Sequence, residues 1–121
     1  MGLVELKAEL SQLDWIDQGP LLQQLSHDQF GFSPLLVPRL QPCCADLVVR
    51  ATSTAEVIQV AAACARHGVP LTPRGAGTGN YGQAVPLEGG VVLDTSALQQ
   101  VRHFDADSGV LTAEPGCRLL E

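Results

Sequence analysis

The sequence predicts an α+β fold, in which a β-α-β unit is followed by further strands and preceded by an N-terminal helix and an irregular arm. Three observations predict it. Two short β-branched runs, Asp46-Leu47-Val48-Val49-Arg50 and Gly90-Val91-Val92-Leu93-Asp94, read as strands. Between Ser53 and Gly68 lies one helical pattern with start and stop signals. Six glycines (Gly75, Gly77, Gly79, Gly82, Gly89 and Gly90) then crowd the stretch before Val91, too many for a regular element.

Taken from the N-terminus, Leu3, Leu6, Leu10 and Leu13 recur at three- and four-residue steps and predict an amphipathic helix over residues 3–13. Gly19-Pro20 breaks it, and Leu21 to Leu25 add a short helical turn. Residues 26–44 carry Pro34, Pro38 and Pro42 with Phe30 and Phe32 and show no period, so they are expected to form an irregular arm laid over the surface. Residues 1–44 are therefore read as helix and arm, and residues 45–121 as the domain proper.

Ser53 followed by Glu56 has the form of a capping box, hydroxyl and carboxylate each satisfying an orphan backbone N–H. The helix is expected to run to His67, burying Val57, Val60, Ala61 and Cys64 with Ile58 beside them, and Gly68 suits a left-handed C-cap. His67 in the last turn faces the negative end of the helix dipole, a structural role rather than a catalytic one. Val69-Pro70-Leu71-Thr72 is the second strand, making residues 46–72 a β-α-β unit with parallel strands and a right-handed crossover. Val101–Phe104 and Val110–Glu114 flank Asp105-Ala106-Asp107-Ser108-Gly109 as a hairpin. Cys117 to Glu121 reads as the first turn of a helix cut by the chain end, so the chain is expected to be a truncated portion of a domain.

Composition narrows the function classes. The 121 residues suit one small domain, with 45% hydrophobic and 17% charged residues. Net charge is −6 and Lys7 is the only lysine, which excludes general nucleic-acid binding. No apolar run approaches the ~20 residues of a membrane span, and no secretory signal is recognisable, so a cytoplasmic location is expected. Cys43, Cys44, Cys64 and Cys117 form no C-x-x-C, and His27, His67 and His103 do not interleave with them at zinc spacing. Idle thiols in a reducing compartment are expected, and no metal site.

The chemistry concentrates in Arg74-Gly75-Ala76-Gly77-Thr78-Gly79-Asn80-Tyr81-Gly82. Glycines allow close approach and positive φ, so that successive N–H groups form an anion-binding nest. Arg74 adds a charge and several donors suited to phosphate oxygens. Thr78 and Asn80 add short polar side chains. Gly77 to Gly82 is a literal G-x-G-x-x-G, but the following Gln83-Ala84-Val85-Pro86-Leu87-Glu88-Gly89-Gly90 cannot sustain the helix that a dinucleotide fold places against the pyrophosphate. The P-loop reading fails for want of G-K-[ST]. A glycine-rich crossover that merely threads past neighbouring strands is the bland alternative. A valine at Gly77 is expected to occupy the ligand's path while leaving residues 46–72 folded.

The order of Asp46 to Val57, Gly68 to Thr78, Gly90 to Asp94 and Ala113-Glu114-Pro115-Gly116 closely resembles the opening of the PCMH-type FAD-binding domain of the vanillyl-alcohol oxidase and p-cresol methylhydroxylase flavoproteins. Its glycolate-oxidase-subunit and D-lactate-dehydrogenase-like branch looks nearest. The resemblance covers about residues 45–121 and implies that the backbone of Arg74, Gly75, Ala76, Gly77, Thr78 and Gly79, with Asn80, Tyr81 and Gly82, wraps the FAD pyrophosphate. Relatives that attach FAD covalently through this loop use a histidine; the matching position here is Thr78, so non-covalent FAD is implied. It further implies an FAD-dependent oxidoreductase passing hydride from a 2-hydroxy acid or related alcohol to the flavin. The residues that touch the flavin ring and the substrate would lie beyond Glu121, in a missing C-terminal domain or a second chain, and no catalytic residue is assigned. The alternatives are a non-catalytic truncated fragment and a nucleotide- or phosphate-binding module unrelated to flavin, each needing a partner chain.

Overall fold

The computed structural model describes residues 2–119. The first helix, α1 (Leu3–Glu9), buries Leu6. It ends earlier than the leucine spacing predicts. The Leu10 carbonyl, which a continuing helix would give to residue 14, instead accepts from the Leu13 amide at 3.1 Å and from Trp15 Nε1 at 2.8 Å. The chain thereby leaves the helix with Leu10 and Leu13 both still buried. It enters a strand the periodicity did not announce, β1 (Asp14–Ile16). The short helix α2 (Pro20–Leu25) follows, with Pro20 at its start, where a missing N–H costs nothing. The arm is less irregular than expected, since Val37–Leu40 form one helical turn, α3.

β2 (Leu47–Arg50), β3 (Leu71–Arg74) and β4 (Val91–Asp94) are parallel, and β1 runs antiparallel to β2, in the order β1-β2-β4-β3. The β-α-β unit is therefore present with a correction: β2 and β3 are not neighbours, because β4 inserts between them. β3 also sits two residues later than expected and includes Pro73. Proline lacks the ladder N–H, and β3 tolerates it as an edge strand.

Alternation along the strands sorts side chains to two faces. Leu47, Val49, Val91 and Leu93 pack with Leu6, Leu10, Val60, Ala63 and Cys64. Val48 and Val92 pack on the other face with Leu22 and Ala45. The long helix α4 (Thr54–His67) buries Val60, Ala63 and Cys64, with Val57 at the margin. Ala61 and Ile58 are exposed, contrary to expectation. One residue is a turn of about 100°, so Ala61 lies off the stripe that Val57, Val60 and Cys64 define, and Ala63 takes the buried place.

At the α4 N-terminus Ser53 Oγ accepts from the Glu56 amide at 3.2 Å, while the Glu56 carboxylate reaches the Thr52 amide and hydroxyl rather than that of Ser53. Gly68 is left-handed at the C-cap. His67 Nε2 lies 2.8 Å from Glu9 Oε2 and Arg66 pairs with the same carboxylate, tying α1 to α4.

β5 (Val101–Asp105) and β6 (Val110–Ala113) form a separate two-stranded hairpin with a register shift between Val101 and His103. Its turn is organised by Asp105, whose carboxylate accepts from the Ser108 hydroxyl at 2.6 Å and from the Asp107 amide at 3.0 Å. Those bonds hold the Asp105 carboxyl below the usual aspartate range, the Ser108 hydroxyl foremost. Cys117 to Leu119 form no helix, and Leu120 and Glu121 of the expected C-terminal turn lie outside the described residues.

Candidate functional site

Because β2, β4 and β3 are parallel and in register, Arg50, Asp94 and Arg74 stand in one row at their C-terminal ends. Ligands of parallel α/β sheets gather at this end, and the glycine loop leaves from it directly after Arg74. Strand alternation turns all three side chains toward the α2 and arm face. There Asp94, almost fully buried, accepts from Arg50 Nε at 3.0 Å and from the Ser96 amide at 2.9 Å. The one carboxylate of the row is thus matched by Arg50.

Arg74 is 4% exposed. It makes no ion pair with a described carboxylate. Its Nη1 donates to the His27 carbonyl at 2.7 Å. The sequence reading places it at the loop entrance with its donors free for phosphate; the structure tucks the guanidinium under the loop instead. Gly77 lies against it with φ +70°, and a Cβ there would fall 2.0 Å from Arg74 Nη2. The obstacle a side chain at Gly77 meets is therefore Arg74, not the path of a ligand.

Backbone hydrogen bonding divides the loop into two parts. The amides of Gly75, Ala76, Gly77, Thr78 and Gly79 donate to no protein acceptor among the described residues. Those of Asn80 and Tyr81 go to Gln83 Oε1 at 3.2 and 2.9 Å, and that of Gly82 to Asp28 Oδ2 at 2.7 Å. Thr78 and Tyr81 are exposed, and Asn80 is half-buried. Successive unpaired amides over a buried guanidinium make a site for an anion with several oxygens. A diphosphate fits that donor set.

Behind the loop, Leu36, Val37, Leu40 and Val85 line a cavity of about 240 Å³ between the arm and the loop. His27, the arm's histidine, has its ring nitrogens 2.8 and 3.0 Å from the Gln23 and Gln41 carbonyl oxygens. Among the described residues no three His, Cys, Asp or Glu side chains converge as a metal site requires. No described helix is long and apolar enough to cross a membrane. Cys64 is buried, which pushes its thiol up from the ordinary range.

A family profile described as FAD binding domain matches residues 45–121. The chain belongs to this family. The domain is 34% identical over 76 residues to the glycolate oxidase subunit GlcD of Bacillus subtilis, covering 63% of this chain and 16% of that protein. It is 36% identical over 74 residues to the mitochondrial D-2-hydroxyglutarate dehydrogenase of Danio rerio, covering 61% and 14%. Against the D-lactate dehydrogenase of Anaerostipes hadrus the figures are 35% over 74 residues, 61% and 16%. The chain thus spans about one sixth of the curated relatives it matches. Among solved structures, p-cresol methylhydroxylase with substrate bound superposes with a TM-score of 0.71 at 21% identity, over 94% of this chain and 21% of that one. An alkyldihydroxyacetonephosphate synthase gives 0.68 at 22% identity, over 86% and 22%. These confirm the fold, and the cofactor of the FAD-binding domain is FAD.

Sequence reasoning missed Asp28, Gln29 and Gln83. Gln83 was within reach of a local argument, standing two and three residues from the amides it accepts. Asp28 and Gln29 belong to a stretch with no period, about fifty residues before the loop they touch.

Proposed function

We propose that this FAD-binding domain supplies the pyrophosphate cradle of an FAD-dependent oxidoreductase that oxidises a 2-hydroxy acid. The observation that carries the cradle is Arg74, a buried guanidinium that among the described residues has no carboxylate partner, beneath the amides of Gly75 to Gly79, which donate to no described acceptor. A buried cation is costly unless a counter-charge is brought to it, and a diphosphate brings one. In this reading the five amides bind and orient the diphosphate and the Arg74 charge beneath the loop offsets its negative charge, while Asn80, Tyr81 and Gly82, their amides already donated, shape the loop's far side. Bound FAD supplies a two-electron acceptor. The substrate class rests on the printed names of the relatives, since glycolate, D-lactate and D-2-hydroxyglutarate are all 2-hydroxy acids. The rest of the flavin site, with its catalytic residues, belongs to further polypeptide, in the same protein or a partner. The attachment is non-covalent, supported by Thr78 at the position where a histidine would be needed.

The purified chain is titrated with FAD, ADP and inorganic phosphate. FAD and ADP are expected to bind, and Arg74→Gln to weaken both roughly 10- to 100-fold, the range of a charge-assisted hydrogen bond. Acid precipitation of the loaded protein should leave all flavin in the supernatant. A folded chain that binds neither FAD nor ADP would overturn the cradle, and tight binding of ADP without FAD would favour a nucleotide module unrelated to flavin.

A further inference from the structure

We propose that Gln29 and Asp28, in the arm, are positioning residues that hold the loop's amides in their binding orientation; this rests on reading the loop as the diphosphate cradle. Residues 27–29 grip the loop at separate points. The His27 carbonyl receives Arg74 Nη1 at 2.7 Å. Gln29 donates its backbone amide to the Gly77 carbonyl at 2.8 Å and its side-chain Nε2 to the Ala76 carbonyl at 3.0 Å. Asp28 accepts from the Gly82 amide at 2.7 Å through Oδ2 and from the Ala84 amide at 3.3 Å through Oδ1.

The consequence follows from the geometry of the peptide unit. In a trans peptide the C=O and the next N–H point in opposite directions, and the described residues include no cis bond. Anchoring the Ala76 carbonyl on the arm turns the Gly77 N–H away from Gln29, and anchoring the Gly77 carbonyl does the same for Thr78. Two consecutive amides are thereby oriented by one residue, donating through both main chain and side chain. Without these anchors, glycines on both sides would let the peptide planes rotate, and a carbonyl turned toward a diphosphate would repel it. Asp28 fixes the opposite end, where the loop turns back at Gly82. Its charge is answered by amides outside the free stretch, so those from Gly75 to Gly79 remain available for the ligand.

The arm is itself pinned to the sheet. Buried Ser26 donates to the Leu22 carbonyl at 2.7 Å and accepts from the Ala45 amide at 2.9 Å. The residues preceding the matched family region thus brace the loop that lies within it.

The test compares Gln29→Met, which keeps length but lacks the donor, and the pair Asp28→Asn and Asp28→Ala, with the unaltered chain. FAD titration is read beside thermal unfolding and the ¹⁵N–¹H shifts of residues 75–79. For Gln29→Met the expectation is an unchanged melting temperature, shifted Gly77 and Thr78 amides and FAD bound about 3- to 10-fold more weakly, the worth of one hydrogen bond. Asp28→Asn, which keeps an acceptor, should retain more affinity than Asp28→Ala. Unchanged affinity and unchanged shifts in Gln29→Met, against a parent chain that binds FAD, overturn the proposal and leave the cradle standing. Equal losses in the two Asp28 variants overturn the part assigned to that carboxylate. A parent chain that binds no FAD overturns the cradle and the proposal together.

Discussion

At the scale of single residues, Arg74 and Gly77 act as one unit. Gly77 is required by a positive φ and by a guanidinium that leaves no room for a Cβ. Gly77→Ala is expected to destabilise the fold by about 1–3 kcal/mol, the cost of a non-glycine residue in a sparsely populated conformation, and to weaken FAD more than tenfold by displacing Arg74. Gly75 is the contrast. A Cβ there meets nothing nearer than the Pro115 carbonyl oxygen at 3.9 Å, so Gly75→Val should unfold at nearly the parent's urea midpoint yet bind FAD poorly, because its side chain enters the open side of the loop. Urea melts and flavin titrations on the two variants separate a structural glycine from a ligand-facing one. Equal behaviour of the pair would count against this division.

At the scale of elements, the contact between α1 and α4 carries a pH dependence. The hydrogen bond from His67, with Arg66 beside it, holds the Glu9 carboxyl below the ordinary glutamate range. A depressed folded-state value means stabilisation that is complete above the unfolded value, ~4.3, and is lost as pH falls through the folded one. Acidification should therefore loosen α1. Trp15, whose indole donates to the Leu10 carbonyl just beyond the helix, reports it. A fluorescence step below the ordinary glutamate range is expected in the parent chain and should shrink in Glu9→Gln, leaving only the part due to Asp17, which Lys7 of α1 also holds low; an undiminished step would assign it elsewhere. The elements also mark where sequence patterns carry through. Ser53 and Gly68 bracket α4 because capping is a local matter, decided within four residues. The early end of α1 and the existence of β1 were not legible, because they depend on β2 offering an edge more than thirty residues away.

At the scale of the whole molecule, stability is unevenly distributed. The four-stranded sheet is covered on both faces, whereas Val101, Phe104, Val110 and Leu111 of the β5–β6 hairpin are all exposed. A two-stranded hairpin without a packed face is marginal in water, so its amides should exchange much faster than those of β2 and β4. Hydrogen exchange followed by NMR tests this, and equal protection across both sheets would contradict it. The same contrast bears on function. The glycine loop leaves from the well-covered sheet, while the hairpin leaves its apolar side chains exposed.

The sequence by itself determined the α+β class, the parallel character of the strands around α4, and the place of the glycine loop. Each of these follows from short-range constraints: β-branched runs, caps and glycine spacing. It did not determine the strand order, since β4 enters between β2 and β3 through pairings that no local pattern encodes. Nor did it reveal that Arg74 lies beneath the loop, or that Asp28 and Gln29 hold the loop from the arm. Those are contacts across about fifty residues of chain, and only burial of both sheet faces brings the arm and the loop together.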